Sequence, residues 1–303
     1  MRIRIRLIAM LTLLASVAAT VTAAQAQQSI TYPLWTGRAP GARSGSPADT
    51  PRLTWLAPSV AANGTAVIIA PGGGYVDMAG VLEGTEPASW FTLRGITVFV
   101  LQYRVGGTAP LPLPLLDGAR AVRFVRAHAA RFHIDPNRIG MLGFSAGGHL
   151  TAMTAVRATP GNAKAGDPVE RASSRPDFVI LAYPWLEATA LMANGHSPYC
   201  DTVIEETHTA CRPQDYSRFT PIAYVTRDAP PTFIYLTTDD DQVTPDGSLR
   251  LYQALWEHHV PVEMHIFAHG RHASVFGGAD PSLSSWPHLL QEWLRSRGLL
   301  PSA

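Results

Sequence analysis

"GMLGFSAGGHL", Gly140 to Leu150, is the stretch on which the reading of this chain turns. It runs from aliphatic residues into small ones, with a single serine between two glycines. The apolar part has the composition of a buried strand, and "AGGHLTAM" after the serine is compatible with a helix. Gly143-Phe144-Ser145-Ala146-Gly147 therefore fits G-x-S-x-G in its strand–turn–helix context. Glycines suit such a turn because flanking side chains would collide with neighbouring backbone. The helix that follows would aim free N–H groups and the positive end of its dipole at Ser145. A tight turn that happens to hold a serine explains the same pentapeptide, so the remainder of the chain has to decide.

Working outward, apolar runs alternate with helical patterns. Strands are expected at Thr65–Ala70, Ile96–Arg104, Arg138–Phe144, Asp177–Trp185, Thr232–Thr238 and Val262–Ala268. "RLTWLA" from Arg52 is a possible edge strand at the end of an irregular, Pro- and Gly-rich arm. Ala119, Val122, Val125 and Ala129 recur at helical spacing between Leu116 and His133. Trp90, Phe91 and Leu93 mark one more helix, and Leu249, Leu251, Tyr252 and Leu255 another. Continuous rather than alternating apolar runs suit strands covered on both faces of a parallel sheet. The expected class is α/β, a mostly parallel, doubly wound sheet in a single domain from 27 to 303. A polar, cysteine-containing insertion, about 187–226, breaks the rhythm where it would overlie the C-terminal edge of the sheet.

Composition narrows the partners. With 303 residues, 46% hydrophobic and 16% charged, and a formal net charge of +1, the chain offers nothing to a polyanion, and no nucleic-acid partner is expected. Residues 1–26 combine Arg2, Arg4 and Arg6, an apolar stretch and Ala24-Gln25-Ala26, the pattern of a signal peptide cleaved before Gln27. The apolar stretch is weakly hydrophobic for a membrane span, so no stable membrane association is expected after cleavage, and the location is periplasmic or secreted. An oxidising compartment allows Cys200 and Cys211 to pair, with two free thiols as the alternative. Two cysteines fit no zinc spacing, and no metal is expected.

A nucleophilic serine needs a base, and the base an orienting carboxylate, in the chain order serine, acid, histidine. "YLTTDDDQVTP" places Asp239, Asp240 and Asp241 directly after one expected strand. "HIFAHGRHASVFG" places His265, His269 and His272 in or after the next. Both loops would share the rim that carries Ser145. "APGGGY", Ala70 to Tyr75, follows the first strong strand, and its glycines would let backbone N–H groups approach an oxyanion, with the Ala146 N–H as a further donor. The loop lacks G-x-G-x-x-G and Walker spacing, which argues against a nucleotide. Tyr75 and Trp185 lie just past strand ends, where they could either stack on a sugar or pack the rim.

"PGGGY", "YR", "LLDGARAVRFVRAHAARFHIDPNRIGMLGFSAGGHL", the aspartate cluster and "GRHA" resemble the exported α/β-hydrolase esterases related to acetyl-xylan esterases. The hormone-sensitive-lipase-like esterases are more distant, and Pro71 stands where their HGGG loop has histidine. The resemblance covers most of the chain from about Pro33 and implies an α/β-hydrolase fold. It implies Ser145, Asp240 and His272 as the catalytic set. Asp240 stands three residues before Val243, with Asp241 the alternative one register on. His272 closes a Gly-x-His. Gly73 and Gly74 would join Ala146 in the oxyanion hole. Glu83 would pair near the glycine loop with Arg104 as candidate partner, and His149 would pack within its helix. The implied activity is serine carboxylester hydrolysis of short acyl groups, acetyl foremost, on a carbohydrate such as xylan, with no cofactor. A peptidase or lipase of the same fold, or a non-catalytic binding protein, are the alternatives.

The cysteine expectation is directly testable. Mass spectrometry of the natively exported protein should recover Cys200 and Cys211 in one linked peptide, a closure worth about 2–3 kcal/mol by loop entropy. Two alkylatable thiols in unreduced material would contradict it.

Overall fold

The computed structural model describes residues 29–106, 111–186, 218–278 and 280–301. The expected signal peptide, Cys200, Cys211 and most of the insertion lie outside these described residues. Eight strands form one sheet in the order β1-β2-β4-β3-β5-β6-β7-β8. They are β1 (Ser29–Pro33), β2 (Arg52–Leu56), β3 (Ala66–Ala70), β4 (Thr97–Gln102), β5 (Ile139–Phe144), β6 (Phe178–Ala182), β7 (Thr232–Thr237) and β8 (Val262–Phe267). The first two strands pair antiparallel and join β4 antiparallel; every pairing from β4 to β8 is parallel. This is the α/β-hydrolase fold.

Strand β1 shows what side-chain pattern cannot report. Ser29–Pro33 is almost wholly exposed, so it carries no apolar signature. Its place comes from the antiparallel ladder to β2, running from Ser29 opposite Leu56 to Pro33 opposite Arg52. The inner strands behave oppositely, since every residue of β3, β5, β6 and β7 is buried. Alternate residues of β3 divide between the two faces. Ala66, Ile68 and Ala70 join one cluster with Ala121, Val122 and Val125 of α2 (Leu113–Ala127) and with Leu150 and Met153 of α3 (Ser145–Val156). Val67 and Ile69 join the other, with Ala88 and Phe91 of α1 (Glu86–Thr92). On that second face a final helix, α5 (Trp286–Ser296), buries Trp286, Leu290, Trp293 and Leu294, a stripe at helical spacing. Leu251 and Leu255 of α4 (Asp246–Glu257) pack against Ile234 and Leu236 beside α3. Among the described residues, no helix is long and apolar enough to cross a membrane.

The strand order fixes where a ligand can enter. The chain leaves β3 toward β4 on one side, and β5 to β8 extend on the other. Adjacent β3 and β5 thus send their following segments in opposite directions, which opens a crevice beyond their C-terminal ends. Ala70 pairs with Gly143, so the glycine loop and Ser145 emerge side by side at that crevice.

Arg104 secures the end of β4. Its guanidinium meets Asp117 at 2.6 Å, and both side chains are fully buried. It also donates to the carbonyls of Pro40, at 2.7 Å, and Leu113, at 3.3 Å, tying the N-terminal arm and α2 to the sheet. The partner expected for Arg104 was Glu83; the structure corrects this, because the Asp117 carboxylate accepts from both its side chain and its backbone N–H. Removing one member leaves a buried, uncompensated charge. Arg104→Met should therefore lower the urea-unfolding free energy by about 3–5 kcal/mol, and adding Asp117→Leu should restore most of it. A loss below about 1 kcal/mol in the single variant would contradict the ion pair's structural weight.

Candidate active site

Ser145 begins α3 directly after β5, with φ 49°, a left-handed value that a non-glycine residue adopts only under constraint. The constraint is backbone against backbone. A Cβ at position 147 would lie 2.1 Å from the Ala70 carbonyl oxygen and 2.4 Å from that of Pro71. At position 143 it would lie 2.2 Å from the Gly147 oxygen, and at position 72 it would lie 2.8 Å from the Ser145 Cβ. Gly72, Gly143 and Gly147 are thus required by contact rather than by flexibility. The closed packing holds Ser145 at the mouth of the crevice, and the Trp185 N–H donates to its carbonyl at 2.9 Å.

The Ser145 hydroxyl lies 2.8 Å from Nε2 of His272. On the far side of the ring, Nδ1 stands 2.8 Å from Oδ2 and 3.1 Å from Oδ1 of Asp240. A carboxylate can only accept, so Nδ1 carries the proton and Nε2 presents its lone pair to the serine. The side chains of His272 and Asp240 are 7% and 2% exposed, which keeps water from competing for these bonds. Asp240 Oδ1 also accepts from the N–H groups of Gln242 and Val243, fixing the carboxylate's rotamer.

Each of the three aspartates grips the histidine loop differently. Asp239 accepts from the Gly270 N–H at 2.7 Å and meets His269 Nδ1 at 2.9 Å on the surface. These bonds, the one to His269 foremost, hold its carboxyl below the usual carboxylate range. Asp240 faces the ring of His272, whereas Asp241 accepts only from its backbone N–H, at 3.1 Å. His265 sits in β8 and meets Glu263 instead. Ala273 and Val275 have φ 58° and 45°, so the loop turns sharply after the imidazole. The indole N–H of Trp286 donates to the Val275 carbonyl at 2.9 Å and anchors that turn on α5.

Across the crevice, Gly73 and Gly74 have φ 125° and 64°. A side chain at 73 would strike the Asp77 carbonyl oxygen at 2.1 Å, so the loop doubles back tightly. Among bonds between described residues, none uses the N–H of Gly73 or Gly74. The Ala146 N–H belongs to the first turn of α3, where no intrahelical acceptor exists. Among the described residues these amides are thus left without an intramolecular acceptor, as an oxyanion donor would require.

Tyr75 and Trp185 do not supply an open stacking face. They are 3% and 5% exposed and belong to one buried cluster, so the sugar-stacking expectation for both is corrected to wall packing. The Tyr75 hydroxyl meets His149 Nδ1 at 2.7 Å, and His149 Nε2 donates to the Phe219 carbonyl at 2.6 Å. Sequence reasoning placed His149 inside its helix but missed this chain, because its ends are far apart in sequence. Glu83, 2% exposed, accepts from the Gly72 N–H at 2.6 Å and from the Tyr183 hydroxyl at 2.9 Å. No cluster of three or more His, Cys, Asp or Glu suited to a metal occurs among the described residues.

The BD-FAE family model matches residues 55–255. The chain is 32% identical over 240 residues to endo-1,4-beta-xylanase B of Butyrivibrio fibrisolvens, covering 76% of this chain and 36% of that protein. It is 27% identical over 247 residues to the acetylxylan esterase of Xylanibacter ruminicola, covering 77% and 46%. The chain thus spans between about a third and a half of these curated relatives. The acetyl ester-xyloside bifunctional hydrolase of Caldicellulosiruptor lactoaceticus superposes with a TM-score of 0.80 at 35% identity, covering 90% of this chain and 97% of that one. The carboxylesterase Cest-2923 of Lactobacillus plantarum shares the fold, with a TM-score of 0.71 at 24% identity, covering 91% of this chain and all of its own.

Burial makes His149 a pH sensor of stability. Desolvation pushes its imidazole down to about 4, while the unfolded value is near 6.5. The unfolded chain then binds the proton first, so stability is full above about pH 6.5 and declines as pH falls toward 4. At roughly 1.4 kcal/mol per unit, this group removes about 3 kcal/mol across the interval. His149→Gln, whose amide can serve both partners, should flatten the decline in denaturation free energy between about pH 7 and about pH 4.5. An equally steep decline in the variant would assign the effect elsewhere.

Proposed function

The chain belongs to the BD-FAE family of α/β hydrolases, and from that membership we propose that it is a serine carboxylesterase removing short acyl groups, acetyl foremost, from a carbohydrate such as xylan. The observation that carries this is the hydrogen-bonded run from Ser145 through His272 to Asp240, set on a strained elbow. The relatives named for xylan and its acetyl esters support that substrate class.

In this reading the Ser145 oxygen attacks the ester carbonyl as its proton passes to Nε2 of His272. Asp240 holds the imidazole in the required tautomer and stabilises the cation that forms. The carbonyl oxygen becomes an anion and turns toward the N–H groups of Gly73, Gly74 and Ala146. Each such donor is worth about 3–4 kcal/mol in the transition state. His272 then protonates the departing sugar oxygen, leaving an acyl-serine. Water enters, gives a proton to the same nitrogen and releases the acid through a second tetrahedral intermediate. Short acyl groups are proposed because two of the relatives are named for acetyl esters. A periplasmic or secreted location follows the same reading, as the substrate is an extracellular polymer.

Acetate release from acetylated xylan tests the proposal. Ser145→Ala should abolish it while the protein stays folded. Asp240→Asn should cost on the order of ten-thousand-fold in turnover by presenting the wrong face to Nδ1, whereas Asp241→Asn should cost far less. If Asp241→Asn is the more damaging change, the acid has been misassigned.

Catalytic efficiency should also fall steeply from acetyl to octanoyl nitrophenyl esters. A broad apolar pocket would instead add up to about 0.8 kcal/mol per methylene, so a preference for octanoyl would favour a lipase. Cleavage of peptides with no ester hydrolysis would favour a peptidase.

A further inference from the structure

One buried carboxylate at the crevice takes no part in the Ser145–His272–Asp240 run. Glu83 sits in a single π turn, Gly80–Thr85, that follows the glycine loop and leads into α1. Its carboxylate is buried, and among the described residues no cation pairs with it, Arg104 being held by Asp117. Two donors satisfy it instead, and they come from opposite walls of the site. Oε2 takes the Gly72 N–H at 2.6 Å, and Gly72 is the residue that touches Ser145. Oε1 takes the Tyr183 hydroxyl at 2.9 Å. The Tyr183 ring meets the imidazole of His272 edge-on, with centroids 5.0 Å apart and planes at 69°.

Tyr183 is itself held against its preference. Its φ is 37°, and its N–H donates to the Tyr235 carbonyl at 2.6 Å, so the ring leaves the end of β6 in one fixed direction. Burial holds the Glu83 carboxyl above its usual range, and the bonds from Gly72 and Tyr183 offset only part of that push. An apolar residue could fill the same space without a desolvation cost. What it could not do is bind both walls at once.

We propose that Glu83 is a positioning residue: its two oxygens tie the glycine loop to the tyrosine that braces His272, and so set the spacing between the oxyanion donors and the base. This rests on the esterase reading of the same site. The claim concerns geometry in the transition state, where misplacement by a fraction of an ångström reduces turnover without weakening ground-state binding.

The test is Glu83→Gln, assayed on nitrophenyl acetate with active sites counted by fluorophosphonate titration. The amide keeps the shape and can reach both partners, but it must donate where the carboxylate accepted, which reverses the Tyr183 bond. Turnover per titrated site should fall roughly tenfold or more while KM stays within about twofold, a split that simple loss of folded protein would not produce. Tyr183→Phe removes only the hydroxyl and should lower turnover in the same way. The double variant should be no worse than the more damaging single one, as expected for two parts of one brace. Unchanged turnover in Glu83→Gln, or additive losses in the double variant, would overturn the proposal. Should Glu83→Gln fail to fold, unchanged turnover in Tyr183→Phe would overturn it equally. These outcomes are separable from failure of the esterase reading, which would show as wild-type protein that neither titrates nor hydrolyses the ester.

Discussion

The carbonyl oxygens of Ala70 and Pro71 occupy the space that any side chain at position 147 would need. That contact, backbone of a strand end against the first turn of a helix, sets the geometry of everything around it. It forces α3 to start immediately after β5 and drives Ser145 to φ 49°. It brings Gly72 against the serine, so that the glycine loop and the first turn of α3 lie side by side. The parallel pairing of β3 with β5 delivers the two strand ends in register, Ala70 beside Gly143. Strand order places those ends at the reversal of chain direction, where a crevice must open.

The surrounding structure holds strain and buried polarity that an ordinary core would avoid. Tyr75, Ser145, Tyr183, Ala273 and Val275 all have positive φ, at a cost of about 1–3 kcal/mol each. Four of them are held locally by a defined bond. Tyr75 is held by His149, Ser145 by the Trp185 N–H, Tyr183 by Glu83 and Tyr235, and Val275 by Trp286. Burial keeps His149 neutral against the pull of the Phe219 carbonyl, and the Tyr75 hydroxyl and that carbonyl occupy its two ring nitrogens. Arg104 and Asp117 compensate each other in full burial, which frees Glu83 for its two neutral donors. Clustered strain of this kind marks a site rather than a stability core.

Much of this architecture is legible in the sequence because parallel strands covered on both faces have to be continuously apolar. Thr65–Ala70 and Arg138–Phe144 could be recognised as strands for that reason, and the glycines around Ser145 could be explained by close approach. Strand β1 could not, since its residues face solvent and only its backbone pairing holds it. The Arg104–Asp117 pair was hidden because Asp117 sits in an amphipathic pattern where an acidic residue reads as solvent-facing. Tyr75 and Trp185 were left between sugar stacking and rim packing because a position just past a strand end says nothing about which way the ring turns. The choice of Asp240 over Asp241 met the same obstacle: three consecutive acids reach different atoms of one loop, and only three-dimensional placement separates them.

The central claim is that the elbow presents Ser145 as a nucleophile activated by His272. Peptide mapping of the wild-type protein after reaction with a fluorophosphonate measures this most directly. The account predicts one stoichiometric adduct, carried by Ser145, whose formation slows by orders of magnitude in His272→Ala. An adduct on another residue, or labelling of Ser145 at an unchanged rate without His272, would contradict it.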